Sequence, residues 1–291
     1  MPVAVVDVGS NTVRLLVTGE GRELLSLRET LRLGESVEKY GLIPEPKLAE
    51  LFACVRRFAD AARAQGASAL EVLVTSPGRQ ASNGEEVADV LAIAAEAPVR
   101  ILSSQEEGRL AFVGALAAAS VTGRKRVAVV DVGGGSAQVV AGSRRDGPDW
   151  FGSVDLGSLR LTARLLADDP PGAVAIARAR DEVDRHFETF EPPTVDAAFA
   201  VGGSARALRR LYGSRLGAAE LTEAVELLAF TPGSELSERF GVSRARATTL
   251  PAGAVLLEAL QRRLEVPLKV SRTGLRHGAL LELVSRELAA A

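Results

Sequence analysis

Residues 3–9 read VAVVDVG, and residues 127–133 read VAVVDVG again, seven identical residues 124 positions apart. Each copy continues into small residues, Ser10-Asn11-Thr12 in the first and Gly134-Gly135-Ser136 in the second. Each then enters a second apolar run, Val13–Val17 and Ala137–Ala141. Valine-rich runs favour a pleated, buried strand. Gly, Ser and Asn at the junction suit a tight turn and leave the backbone open to close approach. Each copy therefore predicts a strand, a turn and an antiparallel strand, with Asp7 or Asp131 two residues before the turn glycine. Two such hairpins, one per half, predict two related α/β domains facing each other across a cleft.

Outward from the repeat, the chain alternates between helix and strand patterns. Residues 23–31 read as a third strand, 47–65 as an amphipathic helix carrying Cys54, and 70–75 as a strand. A helix over 84–95, a strand over 99–102, a helix over 105–119 and a polar link over 120–126 follow. The second half repeats the plan with strands 127–132, 137–142 and 149–155, helices 157–167 and 173–189, and a strand 197–201. Further helices and a short strand at 268–271 complete it. The predicted domains are 1–122 and 123–291, with a last helix near 279–291 available to pack back onto the first.

Composition narrows the function classes. At ~150 residues per domain, 291 residues suit two domains. With 47% hydrophobic and 25% charged residues, the chain can bury a core. A net charge of −2 gives no basic field for nucleic acid or membrane. One cysteine, Cys54, excludes a disulfide framework and reads as a core thiol; two histidines, His186 and His277, lack metal-ligand spacing. No basic flank precedes the first apolar run, and no apolar stretch reaches the ~18–20 residues that span a bilayer. The expected location is the cytoplasm. Only Lys39, Lys47, Lys125 and Lys269 are lysine. That bias fits a GC-rich genome, and also fits phosphate binding through the arginine fork.

The two turns carry the strongest chemical signal. Backbone N–H groups in a Gly/Ser turn form a nest for an anionic oxygen. A strand-end carboxylate beside it can hold Mg²⁺ directly or through water. The bland alternative is a pair of plain hairpins with capping aspartates. Gly202-Gly203-Ser204 joins a strand to a helix, where free N–H groups favour anions; alone it is weak evidence. Ser104-x-x-Glu107 fits a capping box, and Glu107 equally fits a general base. Consecutive helical residues point ~100° apart, so Glu106 and Glu107 cannot share one site. Arg79, in a loop after a strand, is either a phosphate fork or a solvated arginine.

Taken in order, these motifs resemble the exopolyphosphatase and guanosine pentaphosphate phosphohydrolase family. The resemblance runs through DVGSNTVRLL at Asp7, TSPGRQASN at Thr75, LSSQEEGRLAFVGA at Leu102 and DVGGGSAQVV at Asp131. It continues through SVDLGSLRLT at Ser153, VGGSARAL at Val201, LPAGAVLLEAL at Leu250 and GLRHG at Gly274. It implies an α/β fold of two actin-like (ribonuclease H-like) domains, shared with sugar kinases and heat-shock ATPases. It also implies Mg²⁺-dependent release of terminal phosphate from inorganic polyphosphate or guanosine pentaphosphate, and so a place in the stringent response. The chain looks like the short form, without an additional C-terminal helical domain, and is compatible with a homodimer. By motif position, Glu107 matches the catalytic glutamate, and Asp7 and Asp131 the metal-linked aspartates. Arg79 and Asn83 match a phosphate-facing loop. Ser10, Asn11, Gly134, Gly135, Ser136, Gly203 and Ser204 match phosphate-cradling turns.

Four positions depart from the family pattern. Ser104 stands where Gly is usual, Thr248 where Asp is common, His277 where Glu is usual, and Gln138 where the second hairpin usually carries Glu. Gln138 removes a charge beside the metal or the water, and a solvent-facing Gln138 would remove nothing. Two other functions fit the same fold: a catalytically weak sensor of polyphosphate or guanosine tetraphosphate, and an ATP-dependent phosphotransferase, which needs a base pocket that no motif supplies.

Overall fold

The computed structural model describes residues 1–121 and 123–290. Thr122, the last residue of the expected first domain, and Ala291 lie outside the described residues. The chain forms two compact units, Met1–Leu110 with Leu275–Ala291, and Ala111–Gly274.

The first unit contains β1 (Val3–Val8), β2 (Thr12–Gly19), β3 (Arg22–Thr30), α1 (Leu33–Tyr40), α2 (Glu45–Ala64), β4 (Ala69–Val74), α3 (Ser76–Gln80), α4 (Gly84–Ala95) and β5 (Val99–Ile101). Helix α5 (Ser104–Ala117) begins in it. The sheet order is β3-β2-β1-β4-β5. Its first three strands are an antiparallel meander, while β4 runs parallel to β1 and β5 parallel to β4.

The second unit contains β6 (Arg126–Val132), β7 (Ala137–Ser143), β8 (Gly147–Val154), α6 (Ser158–Leu165), α7 (Gly172–His186), β9 (Ala197–Val201), α8 (Gly202–Tyr212) and β10 (Arg215–Leu216). It continues with α9 (Ala218–Phe230), α10 (Gly233–Phe240), α11 (Arg244–Ala247), α12 (Leu250–Leu264) and β11 (Leu268–Val270). The chain then returns to the first unit as α13 (Leu275–Ala290). Read from its hairpin, the order β8-β7-β6-β9-β11 repeats β3-β2-β1-β4-β5, with β10 added at the edge. The pairing directions repeat as well. The seven-residue repeat is thus the visible remnant of a duplicated sheet.

Central strands of such sheets are covered on both faces, which is why they read as continuous valine runs. On β1, Ala4, Val6 and Val8 pack with α2 and α4 residues including Leu51, Val55, Phe58 and Leu91. Val3 and Val5 point the other way, joining Leu16, Leu73, Leu102 and Leu110 against Ala279, Leu280 and Leu283 of α13. Burying one leucine is worth about 1.5–3 kcal/mol, so the last helix completes the first unit's core. The division therefore falls inside α5, after Leu110, and not at the polar link near residue 123. Gly278 explains the close seat: a Cβ there would collide with the Leu110 carbonyl oxygen.

Cys54 is fully buried, and burial pushes its thiol up to about 12. Two short helices, α1 and α3, were not legible in the hydrophobic pattern; α3 spans five residues inside the expected 75–83 loop. Among the described residues no helix is long and apolar enough to cross a membrane.

Candidate functional site

In the first unit the turn after β1 closes when Gly9 N–H donates to the Thr12 carbonyl at 3.1 Å. The turn's carbonyls point inward. Ser10 O accepts from Gly34 N–H at 2.8 Å, and Asn11 O accepts from Leu31 and Arg32 N–H. Among the described residues the N–H groups of Ser10 and Asn11 donate to no backbone carbonyl. The Ser10 hydroxyl donates to Ser76 Oγ at 3.3 Å, which donates to Gln80 Oε1 at 2.9 Å. The relay fixes the turn to α3 and leaves backbone N–H as the groups suited to an anion.

Helix α3 also carries Arg79. Its Nη1 donates to the Leu102 carbonyl at 2.7 Å and to Glu107 Oε2 at 2.8 Å. The side chains are 15% and 9% exposed, so this is a buried ion pair and Arg79 is not a solvated loop residue. The capping box lies one residue earlier than the spacing suggested. Glu106 Oε2 accepts from Ser103 N–H at 2.9 Å and Oγ–H at 2.8 Å, and Glu106 N–H donates to Ser103 Oγ at 3.1 Å. These bonds hold the Glu106 carboxyl below its ordinary pKa. With Ser103 and Glu106 serving the cap, Glu107 points ~100° round the helix, toward Arg79.

Asn83 does not join this group. Its Oδ1 accepts from Ile43 N–H and its Nδ2 donates to the Ile43 carbonyl, both at 3.0 Å, so it clamps a backbone segment. Asp7, the next-to-last residue of β1, lies directly across the ladder from Arg14.

The second turn repeats the first down to its closing bond: Gly133 N–H donates to the Ser136 carbonyl at 3.0 Å. Helix α6 starts against it. Ser158 N–H donates to Gly133 O, and Leu159 and Arg160 N–H donate to Gly134 O. A Cβ on Gly157 would run into the Gly134–Gly135 backbone, so this glycine shapes the turn. Gln138 pairs across the ladders with Asp131 and Ser153 and is 1% exposed, which removes the solvent-facing reading. Its Nε2 donates to Ser136 Oγ at 2.7 Å, while its buried Oε1 has no hydrogen-bond partner among the described residues.

Asp131 reaches toward the start of α8. A Cβ on Gly202 would stand 2.9 Å from Asp131 Oδ1, and Gly202 has φ +90°, so two constraints require glycine there. Ser204 is fully buried against Gly253 of α12 and not open to solvent. Arg246 of α11 covers Gly203 and approaches Ser204 Oγ at 3.4 Å and Thr249 Oγ1 at 3.2 Å. A cation at a helix N-terminus opposes the helix dipole unless an anion accompanies it. Arg246 had no signal in the sequence beyond the arginine bias, because its contact to Ser204 spans 42 residues.

Among the described residues no three His, Cys, Asp or Glu side chains converge as a metal cage. Mg²⁺ does not need one, since it keeps waters and takes one or two carboxylates plus substrate phosphates. Asp131, with the unpartnered Gln138 oxygen on the facing strand, fits that requirement.

The model of the Ppx/GppA phosphatase family matches residues 17–287. The chain is 31% identical to exopolyphosphatase 1 of Mycobacterium tuberculosis over 309 aligned residues, covering 99% of this chain and 89% of that one. The crystal structure of the Ppx/GppA family member of Aquifex aeolicus superposes with a TM-score of 0.82 at 26% identity, covering 99% and 98% of the two chains. An exopolyphosphatase from Cytophaga hutchinsonii superposes with a TM-score of 0.86 at 19% identity, covering 98% of each chain, a likeness of fold.

Proposed function

The chain belongs to the Ppx/GppA phosphatase family, and we propose that it releases terminal phosphate from inorganic polyphosphate in a Mg²⁺-dependent reaction. One observation carries this reading: α3 joins the Gly-closed turn after β1, through Ser76 and Ser10, to the Arg79–Glu107 ion pair. Phosphoryl transfer is mostly positioning and charge stabilisation. The N–H groups of Ser10 and Asn11 would orient phosphate oxygens. Arg79 fixes the Glu107 carboxylate and offers its guanidinium to the same oxygens. Glu107 would take the proton of the attacking water. Gly134, Gly135 and Ser136 repeat the cradle in the second unit, and Arg246 at the start of α8 supplies a further cation. Asp131 and Asp7 are the residues that would hold Mg²⁺, which when bound offsets phosphate charge.

The neutral Gln138 supports a second reading, a slow enzyme that binds polyphosphate or guanosine polyphosphates as a sensor. Phosphate release from long-chain polyphosphate, guanosine pentaphosphate and ATP, with and without Mg²⁺, separates the two. The proposal expects turnover of polyphosphate that EDTA abolishes. Tight binding of polyphosphate without phosphate release would replace it with the sensor reading. ATP as the best substrate would overturn both.

A further inference from the structure

Arg276 occupies the second position of α13, and its Nη1 donates to the Leu15 carbonyl at 3.4 Å, 261 residues back along the chain. Burial pushes its guanidinium below the ordinary arginine pKa, opposed by the charges of Asp7 and then Glu23. Burying a cation costs several kcal/mol unless opposite charge and hydrogen bonds compensate it. The sheet face under α13 supplies that compensation. Val3 and Val5 of β1 lie on this face, and side-chain alternation puts Asp7 there too. Leu73 marks the same face of β4, so Glu71 shares it. The helix therefore crosses a face with an acid toward each end. Arg286 takes Glu71 at 2.7 Å near the helix C-terminus, and Arg276 meets the charge of Asp7 at the N-terminus.

The seat of α13 is fixed from the other side as well. Gly278 lets it touch α5 at Leu110, one turn beyond Glu107, and Arg109 of α5 pairs with Glu282. Topology adds an independent observation. Helices α5 and α13 each follow the fifth strand counted from a hairpin's outer edge, so α13 is the duplicated counterpart of α5. One copy brings Glu107 in its first turns and the other brings Arg276.

We infer that Arg276 is a positioning residue that holds Asp7 and the 9–12 turn in a fixed relation to the helix carrying Glu107. This rests on the phosphohydrolase reading given above. Arginine suits the place because its planar fork can donate to the Leu15 carbonyl while its charge stays on the sheet face that carries Asp7.

The test is a double-mutant cycle of Asp7→Asn and Arg276→Gln, read by kinetics and by urea unfolding. Arg276→Lys is the conservative variant, and Arg286→Gln is the control for helix seating. Arg276→Gln should lower kcat for polyphosphate roughly 10–100-fold with KM changed less than ~3-fold. Arg276→Lys should recover part of that loss. The double variant should be no slower than Asp7→Asn alone, and Arg286→Gln should stay within ~3-fold of wild-type kcat while unfolding at lower urea. In unfolding, the double variant's loss of midpoint should fall short of the sum of the single losses. Multiplying rate losses with additive midpoints would overturn the inference, as would an Arg286→Gln loss of kcat equal to that of Arg276→Gln. If the wild type releases no phosphate from polyphosphate, the function reading fails, and the unfolding cycle still decides whether Arg276 acts on Asp7.

Discussion

Gln138 is buried on β7 with its amide nitrogen committed to Ser136 and its carbonyl oxygen unpartnered beside Asp131. A carboxylate in its place would lose the N–H that donates to Ser136 Oγ and set two acids side by side across one ladder. Without metal, Gln138→Glu should therefore lower stability by about 1–3 kcal/mol. A bound divalent cation offsets that charge, so the variant's Tm should rise more with added Mg²⁺ than the wild type's, and half-maximal phosphate release should need less Mg²⁺. Thermal unfolding across a Mg²⁺ titration checks this; equal Mg²⁺ responses would show that Gln138 lies outside the metal's reach. At this scale the sequence singles out residues where chemistry and motif coincide, as for Asp131, Gln138 and Glu107. It is silent on Arg246 and Arg276, whose neighbours lie 42 and 261 residues away. For Asn83 it does not announce the clamp on the Ile43 backbone, because an amide that holds a backbone and one that faces phosphate look alike in a loop.

Among the elements, α5 shows how a correct pattern yields a shifted role. LSSQEEG satisfies the Ser-x-x-Glu spacing twice, as Ser103–Glu106 and as Ser104–Glu107, and only the helix start decides between them. Because the first pair makes the cap, Ser103→Ala should cost ~1 kcal/mol at neutral pH. The depressed Glu106 pKa adds stability above the ordinary glutamate value of about 4.5, lost as pH falls through the lowered value. Urea midpoints measured from pH 7 into the acid range should show the Ser103→Ala penalty shrinking as Glu106 protonates. A constant penalty would assign the cap elsewhere. For α13, Gly278→Ala forces a methyl into the Leu110 carbonyl and should destabilise by ~1–3 kcal/mol. Calorimetry checks this, and an unchanged Tm would mean that α13 can slide on α5 at no cost. Long periodic elements such as α4 were legible to the residue, whereas α3 was not, since five residues carry no detectable period.

Across the whole molecule, a duplication accounts for both the fold and the economy of the site. Each sheet carries the same meander, the same parallel strands and the same Gly-closed turn. The helix after the fifth strand belongs in part or in whole to the other unit, which no local signal near residue 123 could announce. Two copies supply two Gly-closed turns, but the acid is single: the counterpart of α5 brings Arg276, His277 and Gly278 where α5 brings Gln105, Glu106 and Glu107. Hydrolysis should therefore depend on Glu107 alone for its base. The most direct measurement is phosphate release from long-chain polyphosphate at saturating Mg²⁺ by Glu107→Gln and wild type, with polyphosphate binding measured on the same samples. The account predicts a kcat lower by ~10²–10⁴ with binding retained, and a kcat within a few-fold of wild type would contradict it.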